Sequence, residues 1–282
     1  MEVTQQIAAE QANLWNGPAG RAWVESQVLL DRMFKPFEDL LVSTVVSLSA
    51  RRVLDVGCGT GATTLAVSPL LGSEGKVVGV DISEPLIQIA RQRAQQQGSA
   101  AQFIAADAAT HDFGERTFDA VISRFGVMFF ADPVQAFTNL RNATNDGGHL
   151  RCIAFRSATE NPFMTAAERA AAPLLPNLPA RRAGPGQFAF AFADADRVHG
   201  ILAASGWQHI DLDPIDVVCT FPAADLDSYL AQLGPVGLAL RDADPQTRDR
   251  VTRAVRAAFA PYIHGNEVRF TSANWMLRAR SG

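Results

Sequence analysis

The sequence predicts an α/β fold built on a doubly wound parallel sheet, and three observations lead there. Short apolar runs alternate with helix-like stretches between residues 51 and 155. The first four runs end at or near Asp55, Asp81, Asp107 and Ser123, and ligands in such sheets lie at the carboxyl ends of the strands. The first run also breaks abruptly into Gly57-Cys58-Gly59-Thr60-Gly61, a tight turn that feeds a helix.

Residues 1–50 read as helical, because Trp23, Leu30, Phe34, Phe37, Leu41 and Val45 recur near helical spacing and Pro36 suits a first turn. Ahead of them Trp15 and Trp23 flank an aromatic-rich turn. These tryptophans either pack on the core or form a lid that keeps water from a ligand site. Val53–Val56 is the first buried strand, and Ala62–Val67 begins a helix that Gly72 can close. Gly57-x-Gly59-x-x-Ala62 also satisfies the looser dinucleotide fingerprint. Asp55 argues against a dinucleotide, since its carboxylate would repel a pyrophosphate. It suits an ammonium group, such as the amino-acid tail of S-adenosylmethionine, which carries no phosphate.

The second strand, Lys76–Asp81, ends in an acid twenty residues past Gly61, where a carboxylate can accept from two ribose hydroxyls or simply cap a helix. Ser83 and Pro85 start a helix that runs to Gly98. Gln102–Ala108 forms a third strand whose Asp107 can accept from an adenine amino group. Phe118–Ser123 is the fourth, Asp132-Pro133 opens a helix that ends near Asn145–Gly148, and His149–Phe155 is the fifth. Its first residue, His149, belongs at the edge opposite the site. Past residue 157 the alternation fails. Residues 173–187 form a Pro/Gly-rich loop, 196–206 a helix, 207–218 a strand, 225–263 a mainly helical stretch and 267–280 a final strand.

Composition narrows the function. A hydrophobic fraction of 48% supports a sizeable core, and a net charge of −4 with only Lys35 and Lys76 as lysines speaks against nucleic-acid binding. Cys58, Cys152 and Cys219 are scattered without metal-ligand spacing. No signal peptide and no membrane-length apolar run stands out, so the expectation is a cytoplasmic protein with a small-molecule ligand and no metal. Oligomeric state stays open.

Val53–Gly61, Val78–Ser83, Ile104–Ala108, Phe118–Phe130 and Gly147–Phe155 together resemble the class I S-adenosylmethionine-dependent methyltransferases, in particular the small-molecule group of the ubiquinone/menaquinone-biosynthesis type. The resemblance implies a Rossmann-like, seven-stranded sheet with its last strand antiparallel. It also implies a helical lid over 1–50, a cofactor core over 51–157 and a substrate region over 158–282 that contains a helical insertion and completes the same sheet. It places the methionine moiety along Asp55, Gly57, Cys58, Gly59 and Gly61, the ribose on Asp81, and adenine beside Ile82, Asp107 and Ala108. Ser123 and Arg124 would face cofactor or substrate. Phe125 and Phe163, which follow strand ends, join Trp15 and Trp23 as candidate substrate contacts, and Phe188, Phe190 and Phe192 lie on segments expected near them. Methyl transfer needs alignment and exclusion of water, with a base only when the nucleophile is protonated. His111, His199, His209 and His264 have no carboxylate at a compelling spacing, so no catalytic residue is assigned. A nicotinamide oxidoreductase and a non-catalytic cofactor-binding relative are the alternatives.

Overall fold

In the computed structural model, residues 2–176, 178, 189–241 and 243–282 are described. Helices α1 (Glu2–Asn16), α2 (Pro18–Glu25), α3 (Gln27–Met33) and α4 (Lys35–Ser47) lead into β1 (Arg52–Val56). Then come α5 (Ala62–Val67), β2 (Lys76–Asp81), α6 (Glu84–Gln97), β3 (Gln102–Ala105), β4 (Phe118–Arg124), α7 (Pro133–Asn142) and β5 (Thr144–Phe155). The remainder is α8 (Pro162–Ala171), α9 (Ala195–Ala204), β6 (Trp207–Pro222), α10 (Leu226–Gln232), α11 (Gly234–Arg241), α12 (Pro245–Ala258), β7 (Ile263–His264) and β8 (Glu267–Ser281).

Helix starts follow local chemistry. The side chains of Ser83, Asp132, Asp194 and Asp244 each accept an N–H from the first turn of the helix they precede, and proline stands in the first turn at three of these four. Gly98, at φ 61°, ends α6 in the left-handed conformation.

The strand order is β3-β2-β1-β4-β5-β8-β6, with the two-residue β7 hairpinned onto β8. β1 through β5 pair in parallel, while β8 runs antiparallel to both β5 and β6. The sheet therefore carries seven long-path strands with the last one reversed, as the sequence leads one to expect, plus β7. Phe37, Leu41 and Val45 of α4 are fully buried together with Leu54, Val121, Ile122 and Leu150 of the central strands. Near-continuous apolar runs on β1, β4 and β5 follow from burial on both faces.

Three boundaries differ from the sequence reading. β3 stops at Ala105, which leaves Asp107 in the turn beyond it. α7 ends at Asn142, and β5 begins at Thr144 through a register irregularity spanning Phe118/Ala120. There the Asn145 side chain binds Asp119 and Gly147 takes φ 71°, so the Asn-Asp-Gly-Gly stretch is absorbed as a bulge within the strand. β6 continues to Pro222 because β8 pairs with it over its whole length. Most of the Pro/Gly-rich loop, with Phe188, lies outside the described residues.

Candidate functional site

The strand order reverses between β1 and β4, which makes their carboxyl ends the switch point of the sheet. The turns that leave these two strands touch. A Cβ on Gly57 (φ 68°) would stand 2.5 Å from Gly126 Cα, and one on Gly126 would stand 2.4 Å from the Val56 carbonyl oxygen. Neither turn tolerates a side chain there. Ser123, fully buried, ties the two together: its hydroxyl donates to the Val56 oxygen at 2.7 Å and accepts from the N–H groups of Gly126 and Val127.

The glycine turn is fastened to β2 by backbone bonds. The N–H groups of Gly57 and Cys58 donate to the Val80 oxygen at 2.8 and 3.1 Å. The Gly59 N–H donates to Asp81 Oδ2 and the Ser83 N–H to Asp81 Oδ1, both at 2.9 Å. Burial raises the Asp81 carboxyl above its ordinary range, and these amide bonds oppose that shift. A carboxylate offers about four acceptor positions, so Asp81 keeps capacity for further donors.

Asp55 is only 1% exposed, and its Oδ2 accepts from the Thr64 hydroxyl at 2.6 Å. Burial pushes its carboxyl up to about 6, with the Thr64 hydrogen bond and the Arg124 charge acting in the opposite direction. It lines a small cavity of about 30 Å3 that also meets Asp31, Gly57, Cys58, Gly59 and Arg124. Arg124 donates to the Phe34 carbonyl oxygen at 3.3 Å; burial lowers its pKa, while Asp31, Glu38 and Asp55 hold it up.

Beside this lies a cavity of about 430 Å3, within the size range of small-molecule sites. Gly57, Gly59, Asp81, Ile82, Asp107 and Ala108 line it from the strand ends. Trp15, Trp23, Phe34, Phe125, Phe129 and Phe155 line it with rings. Trp15 meets Trp23 and Phe129 edge-on at 5.7 and 5.3 Å, and Phe125 stacks on Phe155 at 4.3 Å. Arg124, Phe125, Trp23, Phe34, Gly57 and Gly59 border both cavities. Nothing lies within 4 Å of where a Gly59 Cβ would stand, so a side chain there would project into the cradle.

The structure thus gathers Asp81, Ile82, Asp107, Ala108, Trp15, Trp23, Arg124 and Phe125 around one space, and sets Asp55 and Cys58 at the small cavity next to it. Three candidates line neither. Gly61 (φ 84°) is needed because a Cβ would stand 2.8 Å from the Phe103 ring. Ser123 serves the turn junction. Phe163, 1% exposed, stacks on Phe270 at 3.7 Å within an aromatic cluster formed with Phe221, Tyr229, Phe259 and Tyr262. Proximity to a strand end does not carry it to the site, since Asn161 turns the chain back onto β8 through bonds to both the N–H and the carbonyl of Ala273.

Sequence reading found Trp15 but passed over the rest of the α1 face that lines the cavity, Thr4, Ala8 and Gln11, and over Phe34 and Asp31. Helical spacing at Thr4, Ala8, Gln11 and Trp15 was the available signal. No histidine lines either cavity among the described residues. Nor does any group of three His, Cys, Asp or Glu stand where it could hold a metal ion, and no helix there is long and apolar enough to cross a membrane.

Residues 53–148 match the family model described as a methyltransferase domain. Aklanonic acid methyltransferase DauC of Streptomyces sp. strain C5 is 32% identical over 151 residues, 51% of this chain and 68% of that protein. The demethylmenaquinone methyltransferase of Renibacterium salmoninarum is 27% identical over 71% of this chain and 85% of its own length. The ubiquinone/menaquinone biosynthesis C-methyltransferase UbiE of Coxiella burnetii is 29% identical over 50% of this chain and 58% of its own. In fold, the YcgJ protein of Bacillus subtilis superposes with a TM-score of 0.58 at 16% identity, covering 86% of this chain and 97% of that one. The dinucleotide alternative falls with these matches. The chain belongs to the S-adenosylmethionine-dependent methyltransferases.

Proposed function

We propose that the chain transfers a methyl group by direct in-line displacement to a small apolar or aromatic acceptor. The observation that carries this reading is the larger cavity, which has acceptor groups at the strand ends on one side and aromatic rings on the other. S-adenosylmethionine supplies a methyl group on a positively charged sulfur. Asp55, beside the small cavity, suits the ammonium of its amino-acid tail, and Gly57 and Gly59 let that tail lie against backbone. Asp81 has acceptor capacity for ribose hydroxyls, while Ile82, Asp107 and Ala108 suit the adenine.

Trp15, Trp23, Phe125 and Phe155 exclude water and offer flat apolar faces to an acceptor. Aromatic walls with few polar groups favour a flat acceptor, and similar chains are named as aklanonic acid and demethylmenaquinone methyltransferases. With no histidine at either cavity among the described residues, positioning rather than proton abstraction is the contribution assigned to this site. Within residues 1–50, α1 and α2 act as the lid while α3 and α4 pack into the core, 51–157 hold the cofactor, and 158–282 complete the substrate side and the sheet.

Calorimetric titration with S-adenosylmethionine, S-adenosylhomocysteine and NADH, followed by methyl-transfer assays on phenols, quinols and aliphatic amines, tests the reading. The expected outcome is that both sulfur nucleosides bind, NADH does not, and aromatic acceptors are methylated. Turnover confined to small aliphatic amines would remove the aromatic-acceptor assignment.

A further inference from the structure

Arg93 lines neither cavity, yet it joins the two sides of the small one. It stands on α6, where a long cation on a surface helix ordinarily extends into water. Its Nη1 instead donates to the Thr60 carbonyl oxygen at 2.8 Å and approaches Thr60 Oγ1 at 3.2 Å. Its Nη2 reaches Asp31 Oδ2 at 2.6 Å, and both side chains of this ion pair are about four-fifths buried, at 19% and 22% exposure. Thr60 sits in the glycine turn between Gly59 and Gly61. Asp31 belongs to α3 and itself lines the small cavity with Asp55 and Arg124. One guanidinium therefore spans three segments: α6, the cofactor turn and the N-terminal helices.

Asp31 is held from two further directions. The Gln27 side chain donates to the same carboxylate oxygen, and Asp31 is the strongest of the acids that keep Arg124 charged. Arg124 in turn donates to the Phe34 carbonyl at the end of α3. Arg91, two residues away on α6, makes no such bridge; it binds the Phe103 carbonyl and Glu84, within its own strand-and-helix layer. The contrast shows that bridging to the N-terminal helices comes from the placement of Arg93 and not from the arginine content of α6.

We propose that Arg93 is a positioning residue for the cofactor: by clamping Asp31 to Thr60 it sets α3 over the glycine turn and fixes the shape of the cavity beside Asp55. Occupation of that cavity is then coupled to how firmly α3 seats against the glycine turn. The inference goes beyond the proposed acceptor and rests only on S-adenosylmethionine-type binding. The fork geometry of a guanidinium meets both partners at once, which a lysine ammonium on a shorter reach does not reproduce.

The test is S-adenosylhomocysteine affinity by calorimetry, with hydrogen exchange over residues 2–33, for the unsubstituted protein, Arg93→Met, Arg93→Lys, Asp31→Asn and the double variant Asp31→Asn/Arg93→Met. Arg93→Met and Asp31→Asn each weaken binding about tenfold or more, and the double variant is no worse than Arg93→Met, because both remove the same coupling. Arg93→Lys falls between, and ligand-dependent protection of residues 2–33 is lost in step with affinity. Were Arg93→Met unfolded, Arg93→Lys and Asp31→Asn carry the same comparison. Affinity within about twofold of the unsubstituted protein, or losses that add in the double variant, overturns the clamp. Failure of the unsubstituted protein to bind S-adenosylhomocysteine overturns instead the assignment on which the clamp rests.

Discussion

Asp55 is the residue whose chemistry has the sharpest consequence. Its folded-state pKa of about 6 lies above its ordinary value of 3.8 because burial disfavours the carboxylate. The folded protein thus binds this proton more tightly than the unfolded chain does, so Asp55 lowers stability as pH rises through the interval from 3.8 to about 6 and leaves it lower above that. The shift corresponds to roughly 3 kcal/mol. Asp55→Asn keeps an acceptor for the Thr64 hydroxyl without the charge. In denaturant titrations it should match the unsubstituted protein near pH 3.5 and exceed it at pH 7 by up to about 3 kcal/mol. Equal stabilities at pH 7 would remove the buried-charge penalty. An ammonium brought next to Asp55 favours the ionised form, so S-adenosylhomocysteine should bind more tightly as pH rises through about 6 in the unsubstituted protein, with that rise absent in Asp55→Asn. Arg124 and Asp81, the charges that act on Asp55, remain in both proteins. Asp55 was legible in the sequence because a carboxylate inside an apolar run just before glycines has few structural reasons to be there. Phe163 was not, since strand-end position and aromatic character describe a core ring equally well. Phe163→Ala should cost about 3–5 kcal/mol while leaving S-adenosylhomocysteine affinity unchanged, measured by denaturation and calorimetry; a large loss of affinity with stability intact would return it to the site.

At the scale of elements, turns do more to build the site than strands do. Gly57, Gly126 and Ser123 form one junction between the ends of β1 and β4, and only the first announces itself in a glycine motif. Gly126 looks like an ordinary residue after a strand until the Val56 carbonyl is found 2.4 Å from its would-be Cβ. The Asn161 turn is a parallel case. Its side chain, 1% exposed, substitutes for a strand partner at Ala273, accepting from the N–H at 2.9 Å and donating to the carbonyl at 2.9 Å. Asn161→Ala leaves the buried Ala273 N–H without its acceptor and should cost about 1–3 kcal/mol in equilibrium unfolding. It should also speed amide exchange at Ala273; unchanged exchange there would show that the backbone finds another partner. Caps and prolines made the helix starts at Ser83 and Asp132 readable, because the chemistry is local. The bulge at Asn145–Gly148 was not readable, since it depends on Asp119 of a neighbouring strand.

Across the whole molecule, the N-terminal helices divide into two parts with different roles. Leu29, Leu30, Met33 and Phe34 are buried in the main core together with α4, so the chain from α3 onward belongs to the fold. Within α1 and α2, burial is confined to Gln11, Gly20 and Ala22. They are held by aromatic contacts, Trp15 edge-on to Phe129 and Trp23 packed on the main core, and by polar ones: the Trp15 carbonyl accepts from the Ser83 hydroxyl at 2.7 Å, and Asn16 bonds both Ile82 and Glu84 at the entry to α6. Gly20 fits there because a Cβ would strike the Trp15 carbonyl. The sequence showed the aromatic-rich turn but not this division, which depends on contacts reaching from residues 15–16 to 82–84. Removal of residues 1–25 therefore strips one wall of the larger cavity, including Trp15 and Trp23, while leaving the core residues of α3 in place. The truncated chain should unfold cooperatively with a stability loss of only about 1–3 kcal/mol, the range of a few lost partly buried contacts. Its turnover with any acceptor the full chain methylates should fall by about a hundredfold or more, because water exclusion and alignment go with that wall. Turnover retained by a folded truncation would strip α1 and α2 of the lid role. Loss of folding with loss of turnover would place them in the core after all, against the sparse burial seen along both helices.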